Sequence, residues 1–364
     1  MGSVACEEPD TAYDQLLICP SGLGRNQVTV DFSNAYDRVP HPDEALESSV
    51  YQTWNKVLSN QPYLFNALKF RYGGTSVLER KEERKGNVEG CGKGRERKGI
   101  PWRVCIRLGL TDYGSFVGTQ LGSAWRSFLC TAPERLDPDR DHVLRCRHMA
   151  ANIGNAAIVE TSDEKVLVLA RGERVGEFPG RIVYPGGHSE PSVVGISGHD
   201  EQKGGKPEEK EGCTKVKQQQ QEEEEQEMEK TGESRRKEGS KLTKRQRRNE
   251  DIAREMFDGI IREVVEETGV PEEFLSDPLL LGISCRRVNV RLAAFFFVGC
   301  SLTAAQALEC YKTAVDGYES TGLRALTREE LWNVGKNMPG DHAGGTELYK
   351  IMIASRHSAR SESE

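Results

Sequence analysis

The sequence has no apolar run near the ~18 residues needed to span a bilayer, which excludes an α-helical membrane protein. Met1–Asp10 has neither a basic n-region nor an apolar h-region, so no secretory signal is expected. Gly2 follows Met1, but Cys6 stands where a myristoylation pattern needs Ser or Thr. The 10 cysteines are scattered and form no C-x-x-C pair. That argues against a disulfide framework and a zinc ribbon, and for reduced thiols in a cytosolic protein. No internal repeat is visible.

Charge is abundant but unevenly placed. Charged residues make up 29% of the 364 residues and hydrophobic residues 36%. Two inserts account for much of this. From Glu79 to Gly99, 13 of 21 residues are charged, net +3; from Glu201 to Glu250, 27 of 50 are charged, net +1. The second joins a glutamine run, Gln218–Gln221, to a glutamate run, Glu222–Glu225. Neither can bury enough apolar surface to offset chain entropy, so both are expected to be disordered. The formal net charge is −7, which leaves about −11 on the remaining 293 residues. A globular part that acidic is a poor generic partner for nucleic acid. The cluster Lys244-Arg245-Gln246-Arg247-Arg248 reads either as a nuclear localisation signal or as a solvated run. The expected location is cytoplasmic, with the nucleus open through that cluster.

The pattern of the chain predicts an N-terminal domain over 13–140 and a second domain over 148–356, the latter with its insert at about 195–250 and followed by a tail at 357–364. In the first, Leu16–Cys19 and Gln27–Val30 read as strands. His41–Leu58 reads as a helix opened by Pro42 and Asp43, and Asn60-Gln61-Pro62 breaks it. Trp102–Leu110 reads as a strand, Thr119–Leu129 as a helix and Asp137–Asp141 as a linker. In the second, Ala156–Glu160, Lys165–Arg171, Leu279–Cys285 and Leu292–Cys300 read as strands. Helices are expected over Asp251–Thr268, with Gly269 as its left-handed C-cap, and over Ala304–Thr313, Arg328–Asn333 and Glu347–Ser355. The expected class is α/β.

The most informative stretch is Arg262-Glu263-Val264-Val265-Glu266-Glu267-Thr268-Gly269-Val270. On a helix, Glu263, Glu266 and Glu267 share an arc of ~100°, while Phe257, Ile260, Ile261, Val264 and Val265 occupy another. One face is therefore buried and another presents three carboxylates. Grouped hard oxygen donors suit a hard dication, Mg²⁺ or Mn²⁺. The alternative is a solvated acidic face.

This stretch resembles the second half of the Nudix box, G-x5-E-x7-R-E-U-x-E-E-x-G-U. Arg262, Glu263, Val264, Glu266, Glu267, Gly269 and Val270 match it position for position. Pro185-Gly186-Gly187-His188-Ser189-Glu190 resembles its glycine-turn opening, displaced upstream by the long insert. The first glutamate of the pattern would fall on Arg254, with Glu255 one place late. Further pieces lie upstream in order: Cys19-Pro20-Ser21-Gly22, Pro62-Tyr63-Leu64-Phe65, Lys69-Phe70-Arg71 and Arg107–Tyr113. Pro278–Ile283 and Glu319-Ser320-Thr321-Gly322 follow the box. The ordered set is similar to the eukaryotic Nudix-type UDP-glucose/UDP-galactose pyrophosphatases.

The resemblance implies a Nudix α/β/α sandwich preceded by a smaller α+β domain, and Mg²⁺-dependent hydrolysis of a UDP-sugar to UMP and sugar 1-phosphate. It implies Glu263 and Glu267 as metal ligands, with Glu266 completing the set or acting through water. Arg262 would orient a glutamate. Expected substrate contacts are Phe65 and Tyr113 for stacking or sugar-phosphate contact, Arg171 as a phosphate clamp, the turn Gly186-Gly187, His188 and Glu190; Asp341 and Glu319, in late loops that could close over the sugar, rank lower. The expected partner is the UDP-sugar, with no membrane and no specific nucleic acid; oligomeric state is unspecified. Two other functions stay open. One is a Nudix pyrophosphatase for ADP-ribose, an ADP-sugar or coenzyme A. The other is a catalytically silent nucleotide-binding regulatory module.

Overall fold

The structure is a computed structural model that describes residues 9–78, 103–131, 137–172, 180–199, 242–314 and 320–361. The first charged insert, the second up to residue 241, and Glu319 lie outside the described residues. The chain forms two compact units, Met1–Gly198 with Arg248–Glu364, and His199–Arg247. In the second, Thr243 and Gln246 cap one another: the Thr243 N–H donates to Gln246 Oε1 at 2.8 Å and Gln246 N–H to Thr243 Oγ1 at 3.2 Å. The helix therefore starts at Lys244, and the basic cluster is its exposed first turn, where a solvated or targeting run had been expected to stay disordered.

The larger unit is built on an eight-stranded sheet. Its strands are β1 (Tyr13–Leu23), β5 (Ile153–Glu160), β6 (Val166–Arg171), β7 (Ile182–Val183), β8 (Gly186–Gly187), β9 (Leu279–Arg286), β10 (Leu292–Gly299) and β11 (Ser320–Leu326). The order is β1-β9-β10-β5-β6-β11, with β7 on β6 and β8 on β5. Among the described residues of this sheet only the β10–β5 pair is parallel, Phe295 facing Ala156. Alternation along the strands sends side chains to two cores. Ala157, Val159, Phe296 and Val298 pack with Ile252, Met256, Ile260 and Val264 of α4 (Lys244–Thr268). Ala156, Ile158, Phe295 and Phe297 pack with Leu331 of α6 (Arg328–Gly335) and Leu348, Tyr349 and Met352 of α7 (Gly340–Ser361). Helices thus cover both faces, giving an α/β/α sandwich.

A three-stranded sheet, β2-β4-β3, lies in the N-terminal half, from β2 (Val28–Phe32), β3 (Leu68–Leu78) and β4 (Arg103–Asp112). The same half supplies β1 to the large sheet. Arg71 of β3 joins the two regions. Its buried guanidinium donates to the carbonyls of Met149 (3.2 Å), Cys146 (2.9 Å) and Tyr36 (2.8 Å). Tyr72 N–H donates to Ala151 O at 2.9 Å, just ahead of β5. These bonds fix where β5 begins.

Helix boundaries follow their caps. Asp43 caps α1 (Glu44–Asn60) by accepting from Ala45 and Leu46 N–H. Gly269 ends α4 at φ +70°, and a Cβ there would fall 2.3 Å from Cys310 O. α5 (Ala304–Cys310) has a full capping box between Thr303 and Gln306. Two expectations are corrected. Asp137–Asp141 is no linker: Asp137 accepts from Arg140 N–H, Pro138 takes the first helical position, and α3 runs Pro138–Arg145. Thr119–Leu129 is not one helix. α2 (Tyr113–Phe116) runs into a π turn, Val117–Leu121, and Gly122 at ψ 150° leaves helical space before a short 3₁₀ turn, Trp125–Phe128.

Candidate active site

A cleft of about 260 Å³ opens where the glycine turn pairs with the start of β5. One wall is helical: Glu263 and Glu267 of α4, one turn apart, face it. The other wall carries Arg171, Arg291, Asp341 and His342, and the turn Gly186-Gly187-His188 lies between.

The helical wall and the turn are fitted to each other through glycine. Gly186 N–H donates to Glu267 Oε2 at 2.7 Å. A Cβ on Gly186 would fall 2.1 Å from Asn155 O, and one on Gly187 would fall 2.0 Å from Glu263 Oε1. The glycines therefore let backbone approach both β5 and the carboxylates. Glu267 is buried, Glu263 half-buried and Glu266 exposed. Burial, then the neighbouring Glu266 charge, pushes the Glu263 carboxyl up to about 7, against a bond from His188 N–H and the Lys69 and Arg262 charges. A carboxylate placed so is short of positive charge.

Beneath that wall lies a second acid. Arg262 Nη2 pairs with Glu255, which is 4% exposed, two helical turns earlier. Asn155 Nδ2 of β5 donates to Ser189 Oγ at 2.7 Å. A Cβ on Gly259 would come within 3.2 Å of Glu255, 3.5 Å of Arg262 and 3.6 Å of Ser189. The pair thus nests beside the glycine turn, and orients the helix rather than entering the cleft.

The opposite wall is cationic and polar. His188 Nε2 lies 3.0 Å from Asn152 Nδ2 and 3.3 Å from Arg291 Nη1. Both neighbours can only donate, so Nε2 accepts and the ring proton sits on Nδ1. Burial, then Arg291 and Lys69, holds His188 well below its usual pKa and neutral. The Arg291 guanidinium lies 5.0 Å over the Phe116 ring. Asp341 is 2% exposed, and its Oδ1 has no hydrogen-bond partner among the described residues. Burial raises its pKa, opposed by Arg291 and Arg286. An unsatisfied buried acceptor lining a cleft calls for a donor from a ligand.

The residues expected from sequence thus divide. Glu263, Glu267, Gly186, Gly187, His188, Arg171 and Asp341 line one cleft. Glu266 stands exposed beside Glu263, and Arg262 is turned to Glu255. Three placements differ from expectation. Glu190 is drawn off by Lys69, Nζ to Oε1 2.9 Å, and does not line the cleft. Phe65 is 76% exposed on the loop after α1, away from the cleft lining. Tyr113 packs edge-on against Trp54 at 5.7 Å, in an aromatic cluster with Phe116. Sequence reasoning missed Arg291, a turn residue with no motif around it. It also passed over Glu255, although a seven-residue spacing puts it on the same helix face as Arg262.

Among the described residues no three His, Cys, Asp or Glu side chains form a ready metal centre. Glu263 and Glu267, one turn apart on the same helix and both lining the cleft, nevertheless fit Mg²⁺, which takes one or two protein carboxylates and completes its shell with water and substrate phosphate.

No family model matches the chain. It is 41% identical to Nudix hydrolase 9 of Arabidopsis thaliana over 341 residues, covering 94% of this chain and 91% of that protein. It is 28% identical to the uridine diphosphate glucose pyrophosphatase NUDT22 of Bos taurus over 328 residues, 88% of this chain and 89% of that one. The crystal structure of a MutT protein from Methanosarcina mazei Go1 aligns with 56% of this chain and 94% of its own, at 13% identity and a TM-score of 0.28.

Proposed function

The chain belongs to the Nudix hydrolase family, and from that premise we propose that it hydrolyses the pyrophosphate of UDP-sugars, UDP-glucose and UDP-galactose, to UMP and sugar 1-phosphate with Mg²⁺. The observation that carries the reading is one cleft with carboxylates on one wall and arginines on the other. The UDP-sugar class is supported by similarity to NUDT22, named for UDP-glucose, along 88% of the chain.

Glu263 and Glu267 would hold Mg²⁺ or Mn²⁺, and the bound ion supplies neutralisation of charge on the bridging phosphates. Everything else falls to the chain. Arg171 and Arg291 line the same cleft as the carboxylates and would receive phosphate oxygens. Neutral His188 offers its Nδ1 proton to an acceptor rather than taking a proton. Asp341 Oδ1 accepts from a substrate hydroxyl. Glu266 acts on the cluster through water. The Gly186 N–H holds Glu267, the His188 N–H holds Glu263 where Gly187 leaves room for it, and the Arg262–Glu255 pair holds the helix.

Chromatographic product analysis tests the reading, with UDP-glucose, UDP-galactose and ADP-ribose each assayed with Mg²⁺ and with EDTA. Release of UMP and hexose 1-phosphate only with metal is the expected result. Turnover of ADP-ribose alone would assign another nucleoside diphosphate derivative. Tight UDP-glucose binding without turnover would mark a silent binding module.

A further inference from the structure

Four described non-glycine residues of the larger unit sit in left-handed backbone: Glu164, in the turn between β5 and β6, and three that concern the cleft, Ala151 at φ 44°, Asn289 at φ 52° and Val290 at φ 49°. None is glycine, and Val290 is β-branched, so each conformation is costly and must be held by its surroundings. A single side chain holds all three. The Gln120 carboxamide is 1% exposed. Its Oε1 accepts from Ala151 N–H at 2.8 Å, and its Nε2 donates to Asn289 O and Val290 O, each at 3.2 Å. Every polar atom of the amide is used, and exchanging its O and N would lose all three bonds.

What these turns deliver is the point. The residue after Ala151 is Asn152, and the residue after Val290 is Arg291. Asn152 and Arg291 are the two donors that converge on His188 Nε2. Gln120 thus ties together, from behind, the two strained turns whose next residues meet at the cleft wall. The π turn Val117–Leu121 presents it there, with its neighbour Thr119 accepting from Ala150 N–H at 3.0 Å. A second brace acts on the same turn. Arg286 Nε and Nη2 donate to Asn289 Oδ1 at 3.2 and 2.7 Å. The Arg291 guanidinium thus lies against the Phe116 face and His188 and lines the cleft.

We propose that Arg291 is the substrate-contacting cation that fixes the pyrophosphate against the carboxylate wall, and that Gln120, which touches no substrate, is its positioning residue. The proposal rests on the pyrophosphate reading above. A guanidinium held on two sides has lost most of its rotamer freedom before substrate arrives, so more of its phosphate interaction appears as binding.

The test is a double-mutant cycle on Arg291→Gln and Gln120→Met, reading kcat and KM for UDP-glucose with Mg²⁺ and Kd for UDP-glucose in EDTA. Arg291→Gln is expected to raise KM and Kd by about 10–100-fold, the loss of one charge-assisted contact, and Arg291→Lys to restore only part. Gln120→Met is expected to raise both by about 10-fold. In the double variant the two losses must not multiply, because Gln120 acts through Arg291. A merely structural glutamine would leave KM alone or multiply the loss, and either result overturns the proposal. Should the methionine variant not fold, Gln120→Glu keeps the shape and the Ala151 bond, loses both donors, and must shift KM in the same direction. If the unaltered protein turns over no diphosphate yet binding in EDTA still weakens in Arg291→Gln, the hydrolase reading fails and this one stands. If Glu267→Gln abolishes turnover while Arg291→Gln leaves KM and Kd unchanged, the reverse holds.

Discussion

The two walls of the cleft are built in opposite ways. The carboxylate wall comes from one helix, with Glu255, Arg262, Glu263 and Glu267 inside thirteen consecutive residues. The arginine wall is gathered from Gln120, Asn152, Arg171, Arg291 and Asp341, which lie in five separate segments. The first needs only helical periodicity to align its groups. The second needs the whole fold, two strained turns and a buried amide. A locally encoded wall tolerates insertion beside it, and here the charged insert enters between the glycine turn and the helix without separating Gly186 from Glu267.

The sharpest way to break the comparison is to remove a carboxylate. Glu267→Gln should cut kcat by about 10²–10³-fold with little change in KM, read in steady-state kinetics with Mg²⁺. A change of KM alone would move Glu267 from the reacting atoms to simple binding. Next comes the brace. Arg262→Ala leaves the Glu255 carboxylate buried without its partner. Since the Arg262 side chain is 45% exposed, the loss should be about 1–3 kcal/mol in urea unfolding. Unchanged stability would mean that water replaces the arginine. Gly187→Ala should lower kcat by about 10-fold, because its Cβ would displace Glu263. Activity equal to the unaltered protein would show that the carboxylate has other room.

The smallest effect is on pH. The Glu263 carboxyl is raised to about 7. The folded metal-free protein therefore holds a proton that the unfolded chain releases near 4.3. Between those values the native state binds more protons, so stability falls as pH rises, and the full cost is present above about 7. Glu263→Gln in EDTA should consequently raise Tm at pH 8 by roughly 2–4 °C and leave it unchanged at pH 4. The same proton competes with Mg²⁺, so metal affinity should weaken as pH drops below about 7. A Tm unchanged at pH 8 would contradict the desolvated carboxylate.

Legibility in the sequence followed the same divide. The helix of the carboxylate wall, its glycine C-cap and the cap at Asp43 were readable because each depends on neighbours within a few residues. Buried strands such as Leu292–Gly299 were readable from their apolar runs, and the sandwich they build was implied by the resemblance to the Nudix family. Asp137-Pro138 carried a helix start that was read as a linker because its surroundings are charged. Phe65 was chosen as an aromatic in a matching piece, yet lies exposed. Arg291 and Gln120 were not readable. Their roles depend on positive φ values and on bonds spanning 31 to 170 residues, which no local pattern records.

Both walls are expected to act on one pyrophosphate. ³¹P NMR of UDP-glucose incubated with the protein and Mg²⁺ tests it most directly, with Glu267→Gln and Arg291→Gln run in parallel. The account predicts that the diphosphate pair gives way to two phosphate monoester resonances, UMP and glucose 1-phosphate. Glu267→Gln should slow that change by about 10²–10³-fold at every substrate concentration, and Arg291→Gln should slow it only below saturation. A diphosphate that persists with the unaltered protein, or the release of UDP in place of UMP, would contradict it.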